Sequence, residues 1–180
     1  MVVDVSHTGD RTALDAIERS TAPVISSHSG AKVIRDYPRR HPDEVIKAIG
    51  KSGGVHSVNT VGMFLDASNP DIVTTDIIFA HIDHIVNLIG IDHVGYGSDY
   101  IPDVTWTADG GQTPLADTLF PDPSGGHIFS EMCAKGVPTP APYQIIAALV
   151  DKMLEHGYSE EDCGKVIGGN NYRVFSQVWK

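Results

Sequence analysis

Four short segments of the chain share one pattern, an apolar and largely β-branched run that ends on a polar residue: "VVDVSH" (2–7), "APVISSHS" (22–29), "GVHSVNT" (54–60) and "DHVGYGSDY" (92–100). Such runs read as strands covered on both faces rather than as alternating, half-solvated ones. Between them lie stretches of helical period. "DRTALDAIERS" has Asp10 as a candidate N-cap and Leu14 with Ile17 on one face. "HPDEVIKAIGKSGG" has Pro42 in its first turn, a stripe of Val45, Ile46 and Ile49, and glycines at its exit. "DIVTTDIIFAHIDHIVNLIG" sets Ile78, Ile82, Ile85 and Ile89 at near-helical spacing and stops at Gly90. Strands alternating with helices predict parallel βαβ units.

Beyond the fourth strand the texture changes. Residues 101–142 cluster Pro, Gly, Asp and Thr ("TADGGQTP", "FPDPSGGH", "GVPTPAP") and read as an insertion within a single partial-barrel domain spanning 1–180. A long stretch without regular structure inside a compact domain tends to be functional, as a lid or partner-binding excursion; a decorative surface insertion is the alternative. Helical period resumes in "PYQIIAALVDKMLEHG", followed by a capping box at "SEED" (159–162) and a last helix, "NNYRVFSQVW". Its Tyr172, Phe175 and Trp179 are expected to anchor it to the core.

Composition narrows the function classes. The 180 residues suffice for one domain with a sizeable core. A formal net charge of -10 disfavours a nucleic-acid or anionic-membrane surface. Cys133 and Cys163 are too few and too far apart for a disulfide framework or a cysteine zinc site. No run is apolar for long enough to span a bilayer and no leader pattern is visible, so the expected location is cytoplasmic, in a reducing compartment.

In parallel α/β folds chemistry gathers at the C-terminal ends of strands. The polar residues there are His7, His28, Asn59 and Asp99. A lone strand-end histidine is most often a packed one. Two on adjacent strands can reach one Zn²⁺ at about 2.0–2.1 Å, and a carboxylate at the same mouth can exchange protons with an attacking water. The set reads as metal-assisted hydrolysis. His81 and His84 share a helix face and are expected on an exposed polar surface, whereas His56, inside a strand, is expected to pack. No partner is assigned to His41, His93, His127 or His156.

"MVVDVSH", "PVISSHS", "HIDHIVNLIGIDHVGYGSDY" and "GNNYRVF", in this order and spacing, resemble the membrane (renal) dipeptidase family of zinc peptidases. The resemblance covers the chain apart from much of 101–142. It implies a (β/α)8 TIM-type metal-dependent hydrolase barrel with a binuclear zinc centre that cleaves dipeptides. It maps His7 and His28 onto two ligands of one zinc, and Asp99 onto the aspartate that acts on the water and the tetrahedral intermediate. It also implies an arginine for the substrate carboxylate. "YPRRHPDEV" offers Arg39 and Arg40; spacing to "PDEV" favours Arg40, a solvated pair before a helix being the alternative. Asn59 is expected to face substrate.

The family also needs a His-x-Asp pair on its first strand and a bridging glutamate, both upstream of the first motif found here. The four βα units then correspond to strands five to eight, the C-terminal half of the barrel, with at most one zinc site. A half barrel leaves two strand edges unpaired. The expected partners are therefore a second copy of the chain or a complementing N-terminal half, besides the dipeptide. Two other readings stay open: a related amidohydrolase-type lactonase or deacylase, and a non-catalytic remnant serving as a binding module.

Overall fold

Every strand-like segment of the sequence becomes one strand of a single parallel sheet. The computed structural model describes residues 1–65, 74–99 and 142–179, which belong to one unit, Met1–Tyr100 with Pro140–Lys180. The insertion expected at 101–142 lies outside the described residues but for its last position. Strands β1 (Val3–Asp4), β2 (Val24–Ser29), β3 (Val55–Val58) and β4 (Val94–Tyr96) pair in sequence order, with Val3 opposite Val24, Ile25 opposite Val55 and His56 opposite Val94. Helices α1 (Asp10–Arg19), α2 (Asp43–Lys51), α3 (Gly62–Leu65) and α4 (Thr75–Ile89) fill the crossovers. After β4 come α5 (Pro142–Glu155), α6 (Glu160–Gly164) and α7 (Asn170–Val178).

The interior β3 is fully buried and β2 buried at four of its six positions, as strands covered on both faces require. β1 is not: the six residues expected to form it reduce to two, and Val3 is 39% exposed. It has one neighbour, so one edge and much of its surface stay uncovered.

The helical stripes behave as their period demands. Val45, Ile46 and Ile49 of α2 and Ile78, Ile82 and Ile85 of α4 are buried against the sheet; Ile89 is partly buried. Gly90, at φ 86°, ends α4 in a conformation that costs a side-chain-bearing residue energy. Asp10 proves to be the first residue of α1, with Gly9 as its N-cap, where its charge still meets the helix dipole favourably. The capping box forms as expected: Ser159 accepts from the Asp162 backbone, and the Asp162 carboxylate accepts the Ser159 N–H.

The last helix is anchored differently from the sequence expectation. Tyr172 and Trp179 are 75% and 65% exposed, while Val174 is buried and Phe175 packs beside it. Polar groups supply the rest. Asn170 donates to the carbonyls of Ile91 and Val94 at 2.7 and 2.8 Å, and Arg173 to those of Gly53 and Asp92 at 3.0 and 2.8 Å. These carbonyls lie at the N-terminal ends of β3 and β4, so α7 closes the end of the sheet opposite the strand-end histidines.

Three histidines are built into the interior. His81, expected on an exposed face, is fully buried. Its Nδ1 accepts the Ala31 N–H at 3.0 Å and its Nε2 donates to Leu65 O at 3.2 Å, which fixes one neutral tautomer. His56 is buried as expected and finds His41 as its partner, Nε2 to Nδ1, at 3.2 Å. Burial disfavours the charged form of each. It lowers His41 and His81 to about 4 and His56 well below its ordinary value. An unfolded chain takes up protons at these sites below about pH 6.5, while the folded chain does not until about pH 4. Stability should therefore fall as pH drops through this window, by on the order of a few kcal/mol in all. Urea unfolding at pH 7.5, 6 and 5 measures this, and His81→Gln should flatten the slope.

Candidate active site at the strand ends

The pairing of β1 with β2 brings the two strand-end histidines together. The Val5 N–H continues the ladder to Ile25 O at 2.9 Å, and a turn after it, closed by Thr8 onto Val5 O, lifts His7 over the sheet end. His28 ends its strand one residue before Ser29. The two Nε2 atoms stand 2.8 Å apart, with the rings edge to face.

β4 brings the carboxylate. Gly97 passes so close to β2 that a Cβ there would lie 1.8 Å from Ser27 O, a contact no side chain tolerates. This approach, two residues before Asp99, carries its Oδ1 to 3.8 Å from His28 Nε2. Asp99 itself adopts φ 57°, a left-handed conformation that costs a non-glycine residue about 1 kcal/mol. Strain at such a position is common where a side chain must be aimed at chemistry.

Of the two candidate arginines, the one facing the histidines is Arg39. Its Nη1 donates to Ser6 O at 2.6 Å and its Nη2 stands 3.1 Å from His7 Nε2. Arg40, favoured from the sequence, is fully buried; its Nε donates to Phe64 O and its Nη2 to Asn59 Oδ1 at 3.0 Å. Burial, with the charges of Arg39 and Arg35, lowers it to about 9. Neighbouring residues in an irregular segment point apart, so the two arginines face different surroundings. Asn59 is likewise buried and engaged with Arg40, so neither stands with His7, His28 and Asp99.

A second carboxylate, unnoticed in the sequence, underlies the pair. Asp4 accepts the backbone N–H and hydroxyl of Ser6 at 3.0 and 2.7 Å, the Ser27 N–H at 3.1 Å and the Ser27 hydroxyl. Desolvation would raise it, but the bonds from Ser27 and Ser6 outweigh that and hold its carboxyl below its ordinary value. Its signal lay within "VDVSH", a charged residue in an otherwise apolar strand. His7 is also lowered, first by partial burial and then by the charges of Arg39 and His28, so it favours the neutral form that binds metals.

His7 and His28 could hold one metal ion through Nε2. Among the described residues no group of three or more His, Cys, Asp or Glu is placed to do so. A groove between α1 and α2, lined by Arg11, Leu14, Asp15 and Lys51, includes none of His7, His28, Arg39 or Asp99.

Paired histidines, a carboxylate and an arginine thus gather at one end of the parallel sheet. The family is given by comparison: residues 1–110 match the model of membrane dipeptidase, peptidase family M19, and the chain belongs to that family. It is 29% identical over 99% of its length to dipeptidase tcpJ of Claviceps purpurea, and 30% over 98% to dipeptidase ataJ of Aspergillus terreus. It covers 35% and 36% of those relatives, about a third of their length. An amidohydrolase from Pseudomonas aeruginosa superposes with a TM-score of 0.74 at 26% identity, over 99% of this chain and 53% of that one. The four parallel βα units are thus part of a TIM-type barrel, and the solved relative is about twice as long.

The two arginines should separate experimentally. Arg40→Ala leaves Phe64 O and Asn59 Oδ1 unpaired around a large void and should lower unfolding free energy by about 2–4 kcal/mol. Arg39→Ala should change it by less than about 1 kcal/mol. Urea midpoints of both variants provide the comparison.

Proposed function

We propose that this chain carries the C-terminal, one-zinc half of a dipeptidase centre, and that it hydrolyses dipeptides when the rest of a barrel is supplied. The observation that supports this most is the approach of His7 Nε2 and His28 Nε2 to 2.8 Å beside Asp99 and Arg39. Two neutral imidazoles suit Zn²⁺. Two ligands are fewer than the three that catalytic zinc sites draw from protein, so we assign the remainder to another barrel half.

Each residue has a task that its position supports. His7 and His28 hold the metal. Bound zinc would supply Lewis acidity to the scissile amide and its attacking water. Asp99, across from His28, takes the proton from the nucleophile and returns it to the leaving amine. Arg39 presents its guanidinium at the same mouth and grips the C-terminal carboxylate of the dipeptide, a role its planar fork fits and the buried Arg40 does not.

The partner follows from the edges. Among the described residues β1 and β4 end the sheet, and each offers a further parallel strand a place to pair. A second copy, or a separate N-terminal half bearing the His-x-Asp strand, would close the barrel and bring the missing ligands. Among the described residues no helix is long and apolar enough to cross a membrane.

Zinc binding and turnover test this reading. The chain should bind one Zn²⁺, lost in His7→Ala and in His28→Ala, and alone it should hydrolyse dipeptides slowly or not at all. Mixing with strands one to four of a family member should restore turnover, and Arg39→Ala should then lower kcat/KM by about tenfold or more, mostly through KM. Rapid hydrolysis by a monomer of the 180 residues, shown by light scattering, would refute the half-site.

A further inference from the structure

The surroundings of His28 decide which of its ring nitrogens carries the proton. His28 Nδ1 lies 2.7 Å from Ser27 Oγ, which also touches Asp4 Oδ2 and stands 3.1 Å from Ser6 Oγ. Asp4, held ionised, can only accept. Each serine has one hydroxyl proton to give. That of Ser6 goes to Asp4 Oδ1 at 2.7 Å, and that of Ser27 goes to Asp4 Oδ2. The Ser6 oxygen meanwhile accepts the His28 N–H at 3.1 Å.

No hydroxyl proton then remains for the imidazole. Ser27 Oγ must accept, and His28 Nδ1–H must donate. The opposite arrangement, with Ser27 donating to Nδ1, would turn a hydroxyl lone pair onto a carboxylate oxygen in close contact. It would also forfeit the charge-assisted bond, the stronger of the two. The bond to Ser27 fixes the ring's rotation as well, since Nδ1 and Nε2 sit on opposite sides of the imidazole. Holding the first at Ser27 aims the second at His7 Nε2, 2.8 Å away, so in the metal-free chain the proton between the two rings belongs to His7.

We infer that Asp4 and Ser27 are positioning residues for the metal centre: a carboxylate–serine–histidine relay that locks His28 as its Nδ1–H tautomer and presents a bare Nε2 to zinc. This rests on the assignment of His28 as a ligand and adds to it the groups that make it one. A direct carboxylate contact is the commoner way to orient a ligand histidine. Here the carboxylate stands on the neighbouring strand, and the Ser27 hydroxyl bridges it to the ring. Because Asp4 is on β1 and Ser27 and His28 are on β2, the relay also ties the ligand's orientation to the register of the two strands that carry the ligand pair.

Long-range ¹H–¹⁵N spectra of the metal-free full chain read the tautomer directly. His28 should show a protonated Nδ1 and an unprotonated Nε2. Ser27→Ala should shift it toward the Nε2–H form, and Ser27→Thr, which keeps the hydroxyl, should retain the wild-type pattern. Competition with a chromophoric chelator should show Zn²⁺ binding about 10–100-fold weaker in Ser27→Ala and little changed in Ser27→Thr. Circular dichroism would confirm that the variants are folded, and the wild-type spectrum tests the tautomer without any substitution. An Nε2–H His28 in the wild type, or a Ser27→Ala chain that keeps both tautomer and zinc affinity, would overturn the relay. A wild-type chain with the expected tautomer, shifted by Ser27→Ala, that binds no zinc would uphold the relay and refute the metal reading instead.

Discussion

Everything chemical in this molecule hangs on the seam between its first two strands. β1 is two residues long and half uncovered, so the ladder alone holds it weakly. The Asp4 carboxylate reinforces the seam, taking two bonds from Ser6 on its own chain segment and two from Ser27 across the gap. Hydrogen bonds to a charged acceptor are the strong kind, and four converge here. The seam sets the separation of His7 from His28, and through Ser6 O it also fixes where Arg39 docks. An edge strand that would otherwise fray is pinned just before His7.

Part of the interior is polar. Arg40, His41, His56, Asn59 and His81 are all buried, and they reach one another or main-chain atoms of α3 and the β2–α2 connection. Such groups stabilise little on balance, because desolvation offsets most of what their bonds return. Their effect is geometric. Arg40 joins the segment after β2 to Phe64 in α3 and to Asn59 just after β3. His81 joins α4 to Ala31 and Leu65. The loops that frame the strand ends are thereby held by directional bonds at defined distances, which apolar packing alone would not provide. Keeping the three histidines neutral is the condition for this, and it makes the framework sensitive to acid.

Periodicity made the scaffold legible. Apolar runs separated by helical stripes identify four parallel βα units without ambiguity, because strand and helix periods differ so much and each segment is bounded by glycine, proline or a cap. The ligand candidates were legible for a related reason: in a parallel sheet, position along the strand predicts position in space, so His7, His28 and Asp99 could be read from where their strands end. What failed lay outside regular elements. Arg39 and Arg40 occupy an irregular stretch, where no period says which neighbour faces inward. His81 falls on a face that reads as polar, and it is buried because Ala31 and Leu65 offer it one acceptor and one donor, a tertiary match that helix period cannot register. Tyr172 and Trp179 were assigned to the core for their size, yet Asn170 and Arg173 anchor the helix through main-chain carbonyls that no side-chain pattern reveals. Asp4 was overlooked because an acidic residue in a short apolar strand looks like an edge charge.

The same reasoning explains why the site and the sheet edge cannot be separated. In a closed barrel each strand end is flanked by two others, and a metal at the mouth draws ligands from around the ring. Here His7 follows β1 and His28 lies on β2, at one side of the sheet, with Asp99 following β4 at the other. Further ligands to an ion at His7 would have to approach from beyond β1, the side where the sheet stops. On the proposed function, the edge of β1 that is free among the described residues and the ligands the histidine pair still needs lie on the same side. A partner that adds a strand beside β1 supplies hydrogen bonds to its free edge and, in the same act, carries that strand's C-terminal residue to within reach of His7. Barrel closure and metal binding are then coupled equilibria: by linkage, zinc should favour the closed assembly to the same extent that closure favours zinc.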